Sequence, residues 1–185
     1  MDSSFLKQRG GYRDLIAYQK AECIYDVTFY FANKYLNRGD RTIDQMIQAA
    51  RSGKQNIVEG CSASTTSRET EIKLINVAKA SLQELLIDYE DYLRVRGLSL
   101  WDKNDKKAIH TRDVCKANNN SEYYREIIQK CTDEMIANIA ITLIHQADFL
   151  LERLLTNAKQ EFIENGGIKE EMSRARIFYR NRNKY

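Results

Sequence analysis

Proline is absent from this 185-residue chain, and only eight glycines occur in it. A sheet-rich protein needs frequent turn residues between its strands, so this scarcity excludes a β fold. Residues that favour helices dominate throughout, and the length is that of one domain. The composition therefore predicts an all-α fold.

Histidine and cysteine are also scarce, with two and four residues respectively. The cysteines lie far apart, whereas metal ligands normally occur in closely spaced pairs, so we expect neither a zinc site nor disulfides. Neither His110 nor His145 has a nucleophile or a second metal-ligating residue at the spacing of a catalytic or metal site. No arginine precedes either one at the spacing that helical ribonucleases of the HEPN type use. We therefore expect no catalytic activity, no metal and no other cofactor.

Long hydrophobic runs are missing as well. No run of about 18 uncharged apolar residues occurs, although 43% of the residues are apolar. The first residues, MDSSFLKQRGG, lack the apolar stretch of a signal peptide. We expect a cytoplasmic protein that is not inserted in a membrane.

The Gly53-Lys54 pair has the outward form of a phosphate-binding loop. Such a loop needs an earlier glycine, a Ser or Thr after the lysine, and a preceding strand. Gln48 and Gln55 occupy the first two of these positions, and residues that favour a helix precede the pair. The pair is therefore not a nucleotide-binding loop of this type.

Apolar periodicity and capping residues divide the chain into helices and connections. Four main helices are predicted over about residues 13–36, 40–59, 67–96 and 121–164. The domain organisation that follows is a flexible N-terminus over residues 1–12, a helical bundle over 13–166 with a polar insert at about 98–120, and a basic C-terminal suffix over 167–185. We expect the insert to hold at most a short, weakly packed helix.

The second predicted helix places Lys54 in the middle of its apolar face. Two interpretations are open. Either the stem of Lys54 packs while its ammonium reaches solvent, or the ammonium pairs with a carboxylate or lines a channel in an oligomer. With Arg41 and Arg51 on the same helix, Lys54 is a candidate nucleic-acid-binding residue.

The third predicted helix is apolar over two adjoining stripes. One consists of Ile72, Ile75, Leu82, Leu86, Tyr89 and Leu93, and the other of Leu74, Val77, Ala78, Ser81, Leu85 and Tyr92. A helix in a lone bundle needs one stripe, so the second predicts contact with another subunit. The candidate interface residues are Leu74, Val77, Ser81, Leu85 and Tyr92. The alternative is that residues 98–120 cover this stripe within the monomer.

The stretches NIVEG at 56–60 and VAKASLQELL at 77–86 resemble the N-I-A-E-G … A-x-x-S-x-x-E-L pattern of the 23S rRNA intervening-sequence protein family. That family includes the accessory variability determinants of diversity-generating retroelements. The matching residues are Arg51, Asn56, Ile57, Glu59, Gly60, Ala78, Ser81, Glu84 and Leu85. Val58 replaces the usual alanine, and the resemblance covers about residues 13–96.

The resemblance implies a bacterial, antiparallel up-down four-helix bundle that assembles into a ring, typically a homopentamer with a basic central channel. It implies no catalytic activity. Members are associated with RNA, or with a reverse transcriptase and nucleic acid. We therefore expect a non-catalytic, oligomeric RNA-binding or DNA-binding protein. The alternative is an adaptor that docks a protein partner such as a reverse transcriptase.

The C-terminal suffix carries the positive excess of the chain. Residues 168–185 contain six lysines or arginines and two glutamates, a formal charge of +4 against +3 for the whole chain. The candidate nucleic-acid ligands are Arg174, Arg176, Arg180, Arg182 and Lys184. They alternate with Phe178, Tyr179 and Tyr185, a mixture suited to phosphate contact and base stacking. The alternative is a solvated basic terminus without a role.

Overall fold

The computed structural model describes residues 11–182, and within that range the chain is helical and contains no strand. The predicted all-α class is thereby confirmed. The α-helices are α1 (Ile16–Tyr35), α2 (Arg41–Ala63), α3 (Arg68–Val95), α4 (Lys106–Ala117), α5 (Ser121–Ile127), α6 (Asp133–Asn165) and α7 (Ile168–Arg182). Single 3-10 turns, Tyr12–Asp14 and Ile128–Lys130, precede α1 and α6.

Side-chain caps set the starts of α2 and α3. Asp40 accepts a hydrogen bond from the backbone N–H of Thr42 at the start of α2. At the start of α3, Ser67 accepts one from the N–H of Thr70. These caps satisfy backbone donors that have no partner within the helix. The predicted starts of helices two and three are confirmed to within a residue.

The fourth predicted helix is in fact two helices separated by a turn. The helix α5 ends at Ile127, and the backbone at Cys131 is extended, with φ −99° and ψ 153°. Thr132 then caps a new helix by accepting a hydrogen bond from the N–H of Met135. The predicted short helix in the insert exists as α4, which packs against α6 with Ala108 and Cys115 buried.

The four long helices α1, α2, α3 and α6 share one apolar core. Both α2 and α6 lie against α1 and against α3. Across the core, the hydroxyl of Tyr89 donates to Thr28 Oγ1 at 3.0 Å. The ring of Phe31 lies edge-on to Tyr92, with 4.7 Å between centroids. The core is therefore a helical bundle in which aromatic side chains tie α1 to α3.

Most residues of both apolar stripes of α3 are buried within the single chain. Leu82 in the first stripe and Leu85 in the second are each 0% exposed. Two stripes are needed because α2 packs on one side of α3 and α6 on the other. Ser81, Leu85 and Tyr92, which were predicted to lie at a subunit interface, are buried within the chain and leave little surface for another subunit. The insert does not explain the second stripe either, because α4 packs mainly against α6.

Two residues of the predicted interface stay at the surface. Val77 is 46% exposed, and Leu74 is partly exposed. Leu74 contributes to the wall against which Gly60 of α2 packs, since a Cβ at Gly60 would lie 3.5 Å from the Cβ of Leu74. Of the second stripe, Val77 and part of Leu74 thus remain exposed at the surface.

The end of α6 is set by Gly166, whose φ of +74° is in the left-handed region that favours glycine. The predicted break at Gly166-Gly167 is confirmed. An 18-residue window within Asp133–Arg182 is apolar enough to cross a membrane by composition, and 56% of it is buried inside the structure. That is weak evidence of a span, because a buried core helix gives the same signal.

Candidate nucleic-acid interface

The helix α7 places the predicted arginines of the suffix at the surface. Arg176, Arg180 and Arg182 are exposed, and no residue of α7 is buried. Two aromatic side chains lie among them, Phe178 at 69% exposure and Tyr179 at 67%. Cations for phosphates and aromatic faces for bases are the two components of single-strand binding surfaces. Lys184 and Tyr185 lie outside the described residues.

Arg174 differs from the other arginines of α7. Its guanidinium donates to the carbonyl oxygen of Asn165, at the end of α6. The N–H of Gly167 donates to Glu170 Oε2 at 2.9 Å, which begins α7. Arg174 therefore holds the junction between the two helices, and fewer of its donors face solvent than those of Arg176 or Arg180.

One face of α7 is basic. Lys169, Arg176 and Arg180 are separated by seven and four residues, so their side chains line up on one side of the helix. Ile168, Met172, Ala175 and Tyr179 follow one another at spacings of four, three and four, on the adjoining side. The helix thus carries a basic face beside an apolar seam, and neither is buried within the described chain.

Lys54 contacts an aromatic ring. Its ammonium lies 4.2 Å from the centroid of Tyr25 on α1, a cation–π contact. Of the two interpretations, the structure supports the lysine whose stem packs while its charge stays near the surface. Arg41 and Arg51 are exposed on the same helix α2. The three candidate cations of α2 are therefore accessible, although they do not form one cluster.

Beside Lys54, α1 carries a patch that sequence reasoning missed. We call Tyr25, Phe29 and Tyr30 the α1 aromatic patch. Phe29 is 51% exposed, and the ammonium of Lys34 donates to the hydroxyl of Tyr30 at 2.6 Å. The patch lines a groove of about 680 Å³. Tyr25 and Phe29 lie one turn apart on a single face of α1, and this spacing is the signal that could have revealed the patch.

The uncharged residues of the motif lie where α2 packs against α3. The amide of Asn56 donates to the carbonyl oxygen of Ser52 at 2.9 Å and to its hydroxyl at 3.2 Å. Ser81 of α3 donates to the same hydroxyl at 3.0 Å. Gly60 and Ala78 are buried between the two helices. These residues have a packing role in this chain.

The acidic residues of the motif lie apart from that contact. Glu59 and Glu84 are exposed. Near Glu84, burial raises the pKa of Asp88, and the charges of Asp91 and Glu84 raise it further. Among residues 11–182, no group of three or more His, Cys, Asp or Glu side chains is arranged to hold a metal ion.

Comparisons of the chain with protein-family models, curated proteins and solved structures find no match. The resemblance to the intervening-sequence family therefore rests on the motif residues alone.

Proposed function

We propose that this chain is a non-catalytic, nucleic-acid-binding protein of the 23S rRNA intervening-sequence type. RNA is the proposed ligand, and α7 is the proposed binding element. We also propose that α1, α2, α3 and α6 form an antiparallel up-down four-helix bundle, and that copies of it assemble into a ring-shaped homo-oligomer in the cytoplasm, with five subunits as in the family it resembles.

The antiparallel arrangement is supported by the order of contacts between α3 and α6. Arg68 pairs with Glu161 at 2.7 Å, near the start of α3 and the end of α6. At the opposite ends, the hydroxyl of Tyr92 donates to Asp133 at 2.9 Å. Residue numbers rise along one helix as they fall along the other, as they do in neighbouring helices joined up and down.

The observation that carries the binding function is the unburied arginine-rich helix α7. A helix with no buried residue adds little to the stability of the bundle. Its basic face can neutralise phosphates, and Phe178 and Tyr179 offer flat surfaces to bases. In an oligomer several copies of α7 would act on one strand, which raises their effective concentration.

A second candidate function is an adaptor that docks a protein partner such as a reverse transcriptase. The apolar seam of α7 favours it, because Met172 is 49% exposed and Tyr179 is 67% exposed. Seams with spacings of four and three residues pair with other helices. On this alternative the arginines flank a protein contact, and RNA contact is secondary.

A salt titration with single-stranded RNA tests the binding function. The triple variant Arg176→Gln, Arg180→Gln, Arg182→Gln is compared with a triple variant at exposed lysines elsewhere, Lys73→Gln, Lys106→Gln, Lys130→Gln. Each lost phosphate contact lowers the slope of log K against log salt by about 0.7 on a single strand, so we expect a reduction of about 2 for the α7 variant. The control should keep the slope of the unmodified chain.

Two results would separate the candidates. An α7 variant with the unmodified slope and affinity would overturn the proposal that α7 binds nucleic acid. Protein-partner binding that is insensitive to salt and is lost in Met172→Ser, Tyr179→Ser would favour the adaptor.

A further inference from the structure

A groove of about 700 Å³ runs along α6 between α1, α4 and the segment that precedes α4. We call it the α6 groove. Ala108 and Ile141 are the buried apolar residues among those lining it, at 9% and 6% exposure. Small-molecule sites typically enclose about 300–1,000 Å³ and combine an apolar floor with a few convergent polar groups. The α6 groove has this size and composition.

The sides of the groove are positively charged. Lys103, Arg112, Lys116 and Arg153 line it, against the single carboxylate of Glu90 among its described lining residues. Arg112 donates to the carbonyl oxygen of Lys103 at 2.8 Å, which fixes the guanidinium beside the groove. A surplus of cations over an apolar floor favours a ligand that carries negative charge and an apolar or aromatic body.

Two buried acceptor atoms in the groove have no hydrogen-bond partner in the protein. They are Gln146 Oε1 and Asn119 Oδ1, and both side chains line the groove. The Nε2 atom of Gln146 donates to the carbonyl oxygen of Arg112 at 3.0 Å, so its orientation is set and its oxygen is left as an acceptor. Buried acceptors are normally paired, so these two indicate a ligand with N–H or O–H donors.

An aromatic side chain completes the site. Phe149 lines the groove and is 63% exposed, and the guanidinium of Arg153 lies 6.0 Å from the centroid of its ring. An exposed phenyl ring beside a guanidinium is a stacking surface for a flat heterocycle.

We propose that the α6 groove binds a nucleotide. Its base stacks on Phe149 and donates N–H groups to Gln146 Oε1, and its phosphate lies against the guanidinium of Arg153 and the ammonium of Lys116. The inference rests on the proposed nucleic-acid binding and names the unit that is recognised. The nucleotide is either free or part of a single strand.

Other ligands with an anionic and an apolar part fit less well. A fatty acid has no N–H donor for the two amide oxygens. The backbone N–H groups of an acidic amphipathic helix are bonded within the helix, so that ligand leaves Gln146 and Asn119 without partners. A nucleobase supplies both the donors and the stacking face.

Trp101 makes the test direct, because it lines the groove and is the only tryptophan of the chain. AMP and an adenine ten-nucleotide single strand are titrated while tryptophan fluorescence is followed. The double variant Phe149→Ala, Arg153→Gln removes the stacking and phosphate groups. The matched control Phe29→Ala, Arg38→Gln changes the same residue types at positions that do not line the groove. All four side chains are exposed, so both variants should have the melting temperature of the unmodified chain.

The expected result is that the groove variant binds AMP about tenfold or more weakly, since loss of one stacked base has an effect of that size. The control variant should bind AMP as the unmodified chain does. If only the strand binds, and Phe149→Ala, Arg153→Gln weakens it, the nucleotide is recognised within the strand. If AMP binds and the strand does not displace it, the ligand is the free nucleotide.

The inference is overturned if the groove variant binds both probes as the unmodified chain does, or if neither probe alters Trp101 fluorescence. The proposed function would survive that outcome where the strand still binds with a salt slope that depends on the arginines of α7. The variant Lys116→Gln, on α4, checks the phosphate side of the groove independently. Unchanged AMP binding by this variant would also count against the inference.

Discussion

Gly53 of α2 lies so close to Leu82 of α3 that a Cβ atom on it would be 2.7 Å from Leu82 Cδ2. Leu82 is 0% exposed, so its side chain can move aside only by displacing other residues of the close-packed core. Gly60, two turns later on the same helix, would bring its Cβ no nearer than 3.5 Å to any neighbour. Gly53 therefore permits the close approach of the two helices, whereas Gly60 has room for the methyl group of an alanine.

We therefore expect alanine to have opposite effects at the two glycines. Alanine in a helix gains about 0.5–1 kcal/mol over glycine. At Gly53 this gain is outweighed by overpacking, which costs about 1–3 kcal/mol, so Gly53→Ala should lower the free energy of unfolding. Gly60→Ala should raise it by about 0.5–1 kcal/mol. Urea unfolding followed by circular dichroism measures both, and effects of the same sign would contradict the assigned packing.

The sequence predicted the helical class, three of the long helices and the break at Gly166, because caps and apolar spacing are local signals. It did not predict the turn at Cys131 before α6. The apolar spacing of α5 continues in phase across that turn, and only the extended backbone interrupts the helix. The sequence also did not show what covers the second stripe of α3, since spacing reveals how wide an apolar face is but not which helix packs on it.

The second prediction concerns how much the contact between Lys54 and Tyr25 contributes to stability. Removing an exposed cation–π partner costs about 0.5–1 kcal/mol, so Lys54→Ala should lower the free energy of unfolding by that amount. Breaking a buried ion pair would cost about 3–5 kcal/mol. Tyr25→Phe keeps the ring face and serves as the control that should leave the contact intact. Thermal unfolding of the two variants is the measurement, and a loss of 3 kcal/mol or more for Lys54→Ala would restore the ion-pair interpretation.

The third prediction concerns how the effect of Asp88 on the stability of the fold depends on pH. Burial raises its pKa, and Asp91 and Glu84 add to the effect. A carboxyl with a raised folded pKa destabilises the fold when ionised, and that penalty disappears below its unfolded pKa of about 3.9. Asp88→Asn should therefore raise the melting temperature at pH 7, and the gain should fade as the pH falls through the folded pKa towards about 3.9. Glu126→Gln, at an exposed acid of α5, is the control; a gain that persists at pH 3 would contradict the electrostatic cause.

Lys20 should hold the end of α4 against α1. Its buried ammonium donates to the carbonyl oxygens of Cys115 and Asn118, although burial lowers its pKa. These bonds satisfy carbonyls at the C-terminus of α4 that have no partner within the helix. Lys20→Met should let α4 open more often, because bonds to a charged group contribute about 1.5–3 kcal/mol.

Thiol labelling measures this opening. Burial raises the pKa of Cys23 to about 12 and also raises the pKa of Cys115, so both thiols react only when the structure opens. We expect Lys20→Met to speed the labelling of Cys115 about tenfold or more. The control variant is Lys106→Met, at an exposed lysine at the start of α4. In this variant Cys115 should be labelled at the same rate as in the unmodified chain. Equal rates for both variants would show that Lys20 does not hold α4.

Among the candidate site residues, sequence reasoning found the arginines of the suffix because they are neighbours in the chain. It did not find the α6 groove. Arg112 lies in the polar insert, whereas Phe149 and Arg153 lie on α6, and only the packing of α4 against α6 brings them to one groove. Nothing in the sequence marks Gln146 as a site residue, since an amide on an amphipathic helix is usually solvated.

The last prediction concerns a chain that ends at Gly167. No residue of α7 is buried, so removal of residues 168–185 should leave the melting temperature and the oligomeric state unchanged. The same removal takes away the basic face and the two exposed aromatics, so binding of single-stranded RNA should weaken and its salt slope should become shallower. Light scattering and a salt titration measure the two effects. If the shortened chain forms a smaller oligomer and binds RNA as before, the seam of Met172 and Tyr179 packs on a neighbouring subunit, and α7 is a structural strap.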